Sequence, residues 1–239
     1  MKKVYDTINQ YCVEHELLTN GDGIVIGLSG GMDSVCLLQV LAALRNEWQL
    51  RLVCVHVHHG IRGTAADEDA AFAQRLAAKY NISFRLYEMD IPQLAKEQGL
   101  SEEEAGRNYR YRCFEEVRKE LNFDKIAVAH HRDDQAETVL WQILRGSGLR
   151  GVCGMRAGRA NIIRPLLCLD RQQIEQIVRG NGDGWREDAT NREEKYTRNK
   201  IRNRVFPYIE QEIQPMARRH LVELAEDCQR AWDYIERQM

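Results

Sequence analysis

The chain has 239 residues, room for one α/β domain of ordinary size and a short extension. Hydrophobic residues make up 44% and charged residues 29%, which supports a packed core under a wet surface, and no apolar run approaches the roughly 20 residues of a membrane helix. A net charge of −2 lends no support to nucleic-acid binding by itself, so any such role must come from local clustering of cations.

In chain order, residues 1–18 read as an amphipathic helix, with Val4, Ile8 and Cys12 four apart. Asp6, Glu14, His15 and Glu16 stand where a signal peptide would need its apolar centre, and the expected location is the cytoplasm. Residues 24–28 are a short apolar run ending in a glycine-rich turn, and a helical pattern follows through Val35, Leu37, Leu38 and Leu41. Strands are expected at 50–57 and 82–89, with a helix at 67–80 between them. Ser101 with Glu104 makes a capping box opening a helix to about Leu121. A fourth strand is expected at 125–129, a helix at about 134–144, an edge strand at 161–167 holding Pro165, and a helix at 170–178. Strands alternating with helices predict an α/β fold: a parallel twisted sheet of about five strands with helices on both faces, then a small helical extension. The glycine-rich stretch 180–184 suggests a boundary between a domain at 1–180 and an extension at 181–239.

Seven cysteines, at 12, 36, 54, 113, 153, 168 and 228, are odd in number, scattered and without a C-x-x-C pair. Neither a disulfide framework nor a site built from paired cysteines is expected, and most should fill small apolar gaps.

Ligands of open parallel sheets bind outside the carboxyl ends of strands, which directs attention to the loops after Leu28, Val57 and Ala129. The first is Ser29-Gly30-Gly31-Met32-Asp33-Ser34. Its two glycines let backbone N–H groups approach an anion, and the following helix contributes its positive end. Ser29 and Ser34 offer hydroxyls to phosphate oxygens. Asp33 would repel bare phosphate, so its presence suggests a bridging Mg²⁺. No G-K-[S/T] follows, which rules out the Walker loop. The plain alternative is a helix N-terminal turn with ordinary glycines. The hexapeptide resembles the signature of the PP-loop ATP pyrophosphatases, an adenine nucleotide alpha-hydrolase-like fold. That likeness implies ATP cleaved between its α- and β-phosphates, adenylating a substrate oxygen.

Further segments narrow the resemblance. They are H-H-G-I-R-G from His58, E-A-G-R-N-Y-R-Y from Glu104, A-H-H-R-D-D-Q-A-E-T from Ala129, I-R-P-L from Ile163, E-D-A-T-N from Glu187 and Y-T-R-N-K-I-R from Tyr196. Spread in this order over about residues 20–210, they resemble the bacterial tRNA(Ile)-lysidine synthetases. The resemblance implies that ATP adenylates the wobble cytidine of an isoleucine tRNA with a CAU anticodon, and that the ε-amine of free L-lysine then displaces AMP. A homodimer is left open. Members of that family usually continue well beyond this length, into C-terminal domains that grip the tRNA.

Individual residues fit those roles. Asp134 and Glu137, three apart at a helix start, put two carboxylates on one side, and the resemblance assigns them to lysine. The same D-x-x-E spacing also suits a capping box. His130 leaves a strand end where it can touch phosphate or move a proton. Arg107 and Arg110 share a helix face and suit a departing pyrophosphate, the resemblance favouring Arg110, while the plain alternative pairs them with Glu103 or Glu104. Asp33, Arg110 and His130 are thus the candidate catalytic residues, and residues 29–34 the ATP site. His58, His59 and Arg62 suit either the ATP site or a tRNA entrance. From Lys195 to Arg204 there are five cations and no acid. Helical spacing sets Ile201 and Val205 on one face and Lys195, Arg198 and Arg202 on another, so Lys195, Arg198, Lys200 and Arg202 are expected to face solvent and tRNA phosphates, or else simply to be a solvated face. Tyr196 or Trp185 would suit stacking on a base, with core packing the better reading for the tryptophan. A tRNA thiolase of the same superfamily and a tRNA-binding fragment without turnover are the competing readings.

Overall fold

Successive residues of the central strands face opposite apolar clusters, which dictates a three-layer arrangement. Ile24, Ile26, Leu52 and Cys54 join one apolar cluster, while Val25, Val53, Val55, Val57 and Ile126 join another on the opposite face. Strands buried on both sides read as continuous apolar runs, which is why β1 and β2 are legible as Gly23–Gly27 and Arg51–His58. The protein is seen here as a computed structural model describing residues 2–58, 64–186 and 197–238.

Helices α1 (Lys2–Glu14), α2 (Met32–Leu44) and α3 (Thr64–Lys79) lead to β3 (Ser83–Glu88). Next come α4 (Ile91–Gln98), α5 (Glu102–Glu120), β4 (Lys125–Ala127), α6 (Arg132–Leu144), α7 (Leu149–Val152), β5 (Gly158–Arg159), β6 (Ile162–Ile163) and α8 (Arg171–Gly180). The C-terminal part is α9 (Thr197–Lys200), a widened π-helical turn (Ile201–Val205), α10 (Phe206–Glu212) and α11 (Ala217–Gln238). Helices α1, α2, α3 and α8 cover one face of the sheet, and α4 and α5 cover the other. No helix among the described residues is long and apolar enough to cross a membrane.

The sheet order is β3-β2-β1-β4-β6-β5. Five strands run parallel, and β5 closes the edge antiparallel to β6. The expected edge strand at 161–167 is therefore corrected. Only Ile162–Ile163 pairs, β5 lies outside it, and Pro165 falls past its end, where a missing N–H costs the ladder nothing. The chain moves outward from β1 to β3 and then returns to the other side of β1 as β4. That reversal sets the carboxyl ends of β1 and β4 side by side, the usual crevice for a ligand.

A small satellite core ties the C-terminal part to the sheet domain. Ile201 and the fully buried Phe206 pack with Ala136 of α6, flanked by Leu140, Leu221 and Val222. Cys12, Cys36, Cys54, Cys113 and Cys153 are buried, and all seven thiols are free, as expected of gap fillers. Burial pushes the Cys12 and Cys54 thiols up to about 12.

Candidate functional site

The loop from Ser29 to Ser34 is self-braced. The Ser34 hydroxyl donates to the Gly31 carbonyl at 2.8 Å and accepts from the Ser29 hydroxyl and the Gly30 N–H, both at 3.1 Å. Gly30 adopts φ +89°, a left-handed conformation that favours glycine. The Gly30 carbonyl accepts the Arg186 N–H at 2.9 Å, and the Arg186 guanidinium is held by Asp69 at 2.8 Å and Glu68 at 2.6 Å. The stretch after α8 is thereby strapped across the loop. Asp183 anchors the same stretch by accepting from Gln39 at 2.8 Å and from Tyr80 and Lys79, both at 2.5 Å. Helix α2 begins at Gly31 with no side-chain cap, so its opening amides remain for an anion.

Beneath the loop, buried His56 faces the Leu28 carbonyl from Nδ1 at 2.8 Å. Burial lowers its pKa despite that bond, and the nearby charge of Arg110 acts in the same direction, so the neutral ring donates from Nδ1. This brace was not anticipated from sequence.

Asp33 points from the first turn of α2 toward the end of β4. Its Oδ2 lies 3.7 Å from His131 Nε2, and its Oδ1 is buried without a partner among the described residues. An orphaned carboxylate oxygen beside uncapped helix amides fits Mg²⁺, which commonly takes one or two protein carboxylates and completes its shell with phosphate oxygens and water. No group of three or more His, Cys, Asp or Glu among the described residues forms a closed protein cage.

His131, rather than His130, joins the two halves of the crevice. It is the N-cap of α6: its Nδ1 accepts the Asp133 N–H at 3.2 Å, while its own N–H donates to Asp134 Oδ2 at 3.0 Å. The capping box thus runs from His131 to Asp134, which corrects the Asp134–Glu137 alternative. The ring is 1% exposed, and its Nε2 sits between Asp33 at 3.7 Å and Asp134 at 3.6 Å. Burial opposes its charge, but Asp33, Asp134 and Asp133 together raise its pKa.

Asp134 and Glu137 do converge, as expected, and both are buried. What meets them corrects the expectation of solvent-facing cations. Arg202 donates to Glu137 Oε1 at 2.6 Å and to Asp134 Oδ1 at 2.8 Å; Arg198 reaches Glu137 Oε2 at 2.9 Å and Asp134 Oδ1 at 2.7 Å. Two carboxylates withdrawn from water need counter-charges, and α9 supplies Arg198 while the widened turn that continues it supplies Arg202 one helical turn on. Burial raises the Asp134 pKa, yet His131, Arg198 and Arg202 outweigh it and hold the carboxyl down to about 2. Lys200, by contrast, is exposed as expected.

His130 lies beside this cluster with its Nδ1 buried and unpartnered among the described residues. Burial, with Arg164, Arg198 and Arg107 adding to it against Asp134, lowers its pKa to about 3, so it is neutral. On α5, Arg110 is exposed and Arg107 stacks over Tyr111 at 5.2 Å. His58 turns toward Asp67, 3.4 Å from its Oδ1. Trp185 packs against the main core with Arg179 over its ring at 5.2 Å. His59, Arg62, Lys195, Tyr196 and the E-D-A-T-N motif lie outside the described residues.

The chain resembles known proteins in sequence and in fold. The family described as PP-loop domain matches residues 2–209. A tRNA(Ile)-lysidine synthase of Caldanaerobacter subterraneus subsp. tengcongensis is 45% identical over 241 residues, covering 99% of this chain and 50% of that protein. One from Clostridium perfringens is 41% identical over 239 residues, with 100% and 50% covered. The chain therefore spans about half the length of the curated relatives it matches. Among solved structures, the U34-tRNA thiolase NcsA of Methanococcus maripaludis with its [4Fe-4S] cluster superposes with a TM-score of 0.75 at 18% identity, covering 95% of this chain and 77% of that one. At that identity the likeness is one of fold. With its phosphate loop, strand order and a family match over residues 2–209, the chain belongs to the PP-loop family.

Proposed function

We propose that residues 1–180 form the ATP-using catalytic domain, and 181–239 the tRNA-contacting extension, of an enzyme that ligates L-lysine to the wobble cytidine of a CAU-anticodon tRNA(Ile). The observation that carries this reading is His131. One buried imidazole contacts both Asp33 of the phosphate loop and Asp134 of the carboxylate pair, so the nucleotide end and the amino-acid end share one crevice. The 45% and 41% identical relatives named tRNA(Ile)-lysidine synthase support it.

In the first step the cytosine O2 attacks the α-phosphorus of ATP and pyrophosphate leaves. The opening amides of α2, with the Ser29 and Ser34 hydroxyls turned from their internal bonds, hold the phosphates, and the guanidinium of Arg110 receives the charge building on the leaving group. Mg²⁺ on Asp33, when bound, would neutralise phosphate charge. In the second step the lysine ε-amine attacks C2 and AMP departs. Neutral His130 lines the amino-acid end of the crevice beside Asp134. Asp134 and Glu137 receive the lysine, whose ammonium takes the place now filled by Arg198, the more exposed of the two guanidinium groups at 38% against 25%. Exposed Lys200, with Lys195, meets tRNA phosphates.

A CAU-anticodon tRNA transcript incubated with ATP, Mg²⁺ and labelled lysine should gain label with matched release of AMP and pyrophosphate. Lysine-independent sulfur transfer, or tRNA binding without AMP, would overturn this reading.

A further inference from the structure

An amino acid presents a carboxylate one carbon away from its α-ammonium, so a pocket that takes the ammonium on Asp134 needs a cation close beside it. The register pairs Ala127 with Ile163, which brings Arg164 out of the sheet alongside Val128, two residues before His130. The Arg164 side chain belongs to a residue only 7% exposed. Its Nη1 donates to the Arg156 carbonyl at 2.8 Å, while its Nε has no partner among the described residues. The charged and polar groups felt most strongly at Arg164 are Tyr111, Arg107, Arg159 and Tyr11, none of them a carboxylate. A buried guanidinium N–H with no acceptor costs more than an exposed one and is rarely left so without a ligand. His130 Nδ1, on the neighbouring strand end, is buried and unpartnered too. His130 directly precedes His131, whose backbone N–H donates to Asp134 Oδ2 at 3.0 Å, so its orphaned Nδ1 belongs to the same turn as the Asp134 carboxylate, and its ring feels the charges of both Asp134 and Arg164.

We infer that Arg164 and His130 form the carboxylate-binding end of the amino-acid site, with Asp134 taking the α-ammonium and the ε-amine directed away toward the activated base. This rests on the lysine-ligase reading and deepens it. It also removes a chemical conflict in that reading. The attacking amine must be neutral although its ordinary pKa is about 10.4, and two flanking carboxylates would hold it protonated. Binding the α-ammonium there leaves the reacting amine clear of them.

The test uses L-lysine, lysinamide and cadaverine, which share the reactive amine but differ in the carboxylate. The unaltered protein should prefer lysine by at least about a hundredfold in kcat/KM, the scale expected when a buried polar group loses its partner. In Arg164→Met the KM for lysine should rise toward that for lysinamide and the preference should collapse, while the KM for ATP stays within about twofold. Arg164→Lys should restore part of the preference. Equal use of lysine and lysinamide by the unaltered protein would overturn the inference, and that comparison stands even where Arg164→Met fails to fold. So would a variant that keeps full discrimination, or one whose loss is in tRNA affinity with a shallower salt dependence, which would make Arg164 a phosphate contact. No ATP-dependent use of lysine at all by the unaltered protein would instead sink the ligase reading itself.

Discussion

Glu137 has a side chain with 0% exposure and both oxygens engaged by arginines. Removing one member of a buried ion cluster leaves the others desolvated without compensation, at about 3–5 kcal/mol. Glu137→Ala should therefore lower the unfolding free energy measured in urea by that amount. Arg202→Met should cost less, because Arg198 still serves both carboxylates. Equal losses would mean that the two arginines do not share the load. Much at this scale was legible beforehand. Ser29, Gly30, Gly31, Asp33 and Ser34 could be read because a phosphate loop is local in sequence. The partners of Asp134 and Glu137 could not, because Arg198 and Arg202 lie 61 to 68 residues away. A signal was present, since R-x-x-x-R and D-x-x-E each place two charges one helical turn apart. The part played by His131 was missed for another reason. Which of two adjacent histidines caps the next helix depends on backbone direction at the strand end, and sequence does not state it.

Helix α5 is fastened to the start of β6 by one carboxylate. Glu115 accepts from Arg118 through both oxygens at 2.8 Å and from Asn161 Nδ2 at 2.7 Å, and the Arg118 Nη1 also donates to the Phe123 carbonyl at 2.9 Å. The hydrogen bonds from Arg118, acting against partial burial, hold the Glu115 carboxyl at about 2 instead of 4.5. A depressed folded-state pKa contributes stability that is complete above the unfolded value and lost as pH falls toward the folded one. The stability difference between unaltered protein and Glu115→Gln should accordingly be constant above about pH 5 and shrink between about pH 4.5 and 2. A difference independent of pH across that window would show that Asn161, rather than the charge, carries the junction. Elements of this size were read well where burial on both faces made β1 and β2 continuous apolar runs. The two-residue strands β5 and β6 have no period to detect. Helix α4 was missed although Asp90 caps it through the Gln93 N–H at 3.0 Å, because its eight residues are too few for a periodic stripe to stand out.

The C-terminal helices and the crevice depend on one another across the whole molecule. Arg198 and Arg202 lie on the same helical segment as Phe206, which is fully buried against Ala136 of α6, two residues from Asp134 and one from Glu137. Farther along, α11 is bound to the stretch after α6 by Gln229 donating to the Cys153 carbonyl at 2.6 Å and by Arg156 pairing with Asp233 at 2.5 Å. The sheet domain has its own two clusters on either face and shares neither with this satellite core. Phe206→Ala should then cost about 3–5 kcal/mol locally, the usual loss for a buried aromatic ring. Hydrogen exchange should accelerate over residues 197–238 while the amides of β1 and β2 keep their protection. Loosening the segment also removes the guanidinium groups that neutralise Asp134 and Glu137, so under the proposed function lysine binding should change in the same variant while ATP binding at residues 29–34 persists. Faster exchange in β1 and β2 to the same degree would instead make the chain one cooperative unit, with no separate response of the carboxylate pair.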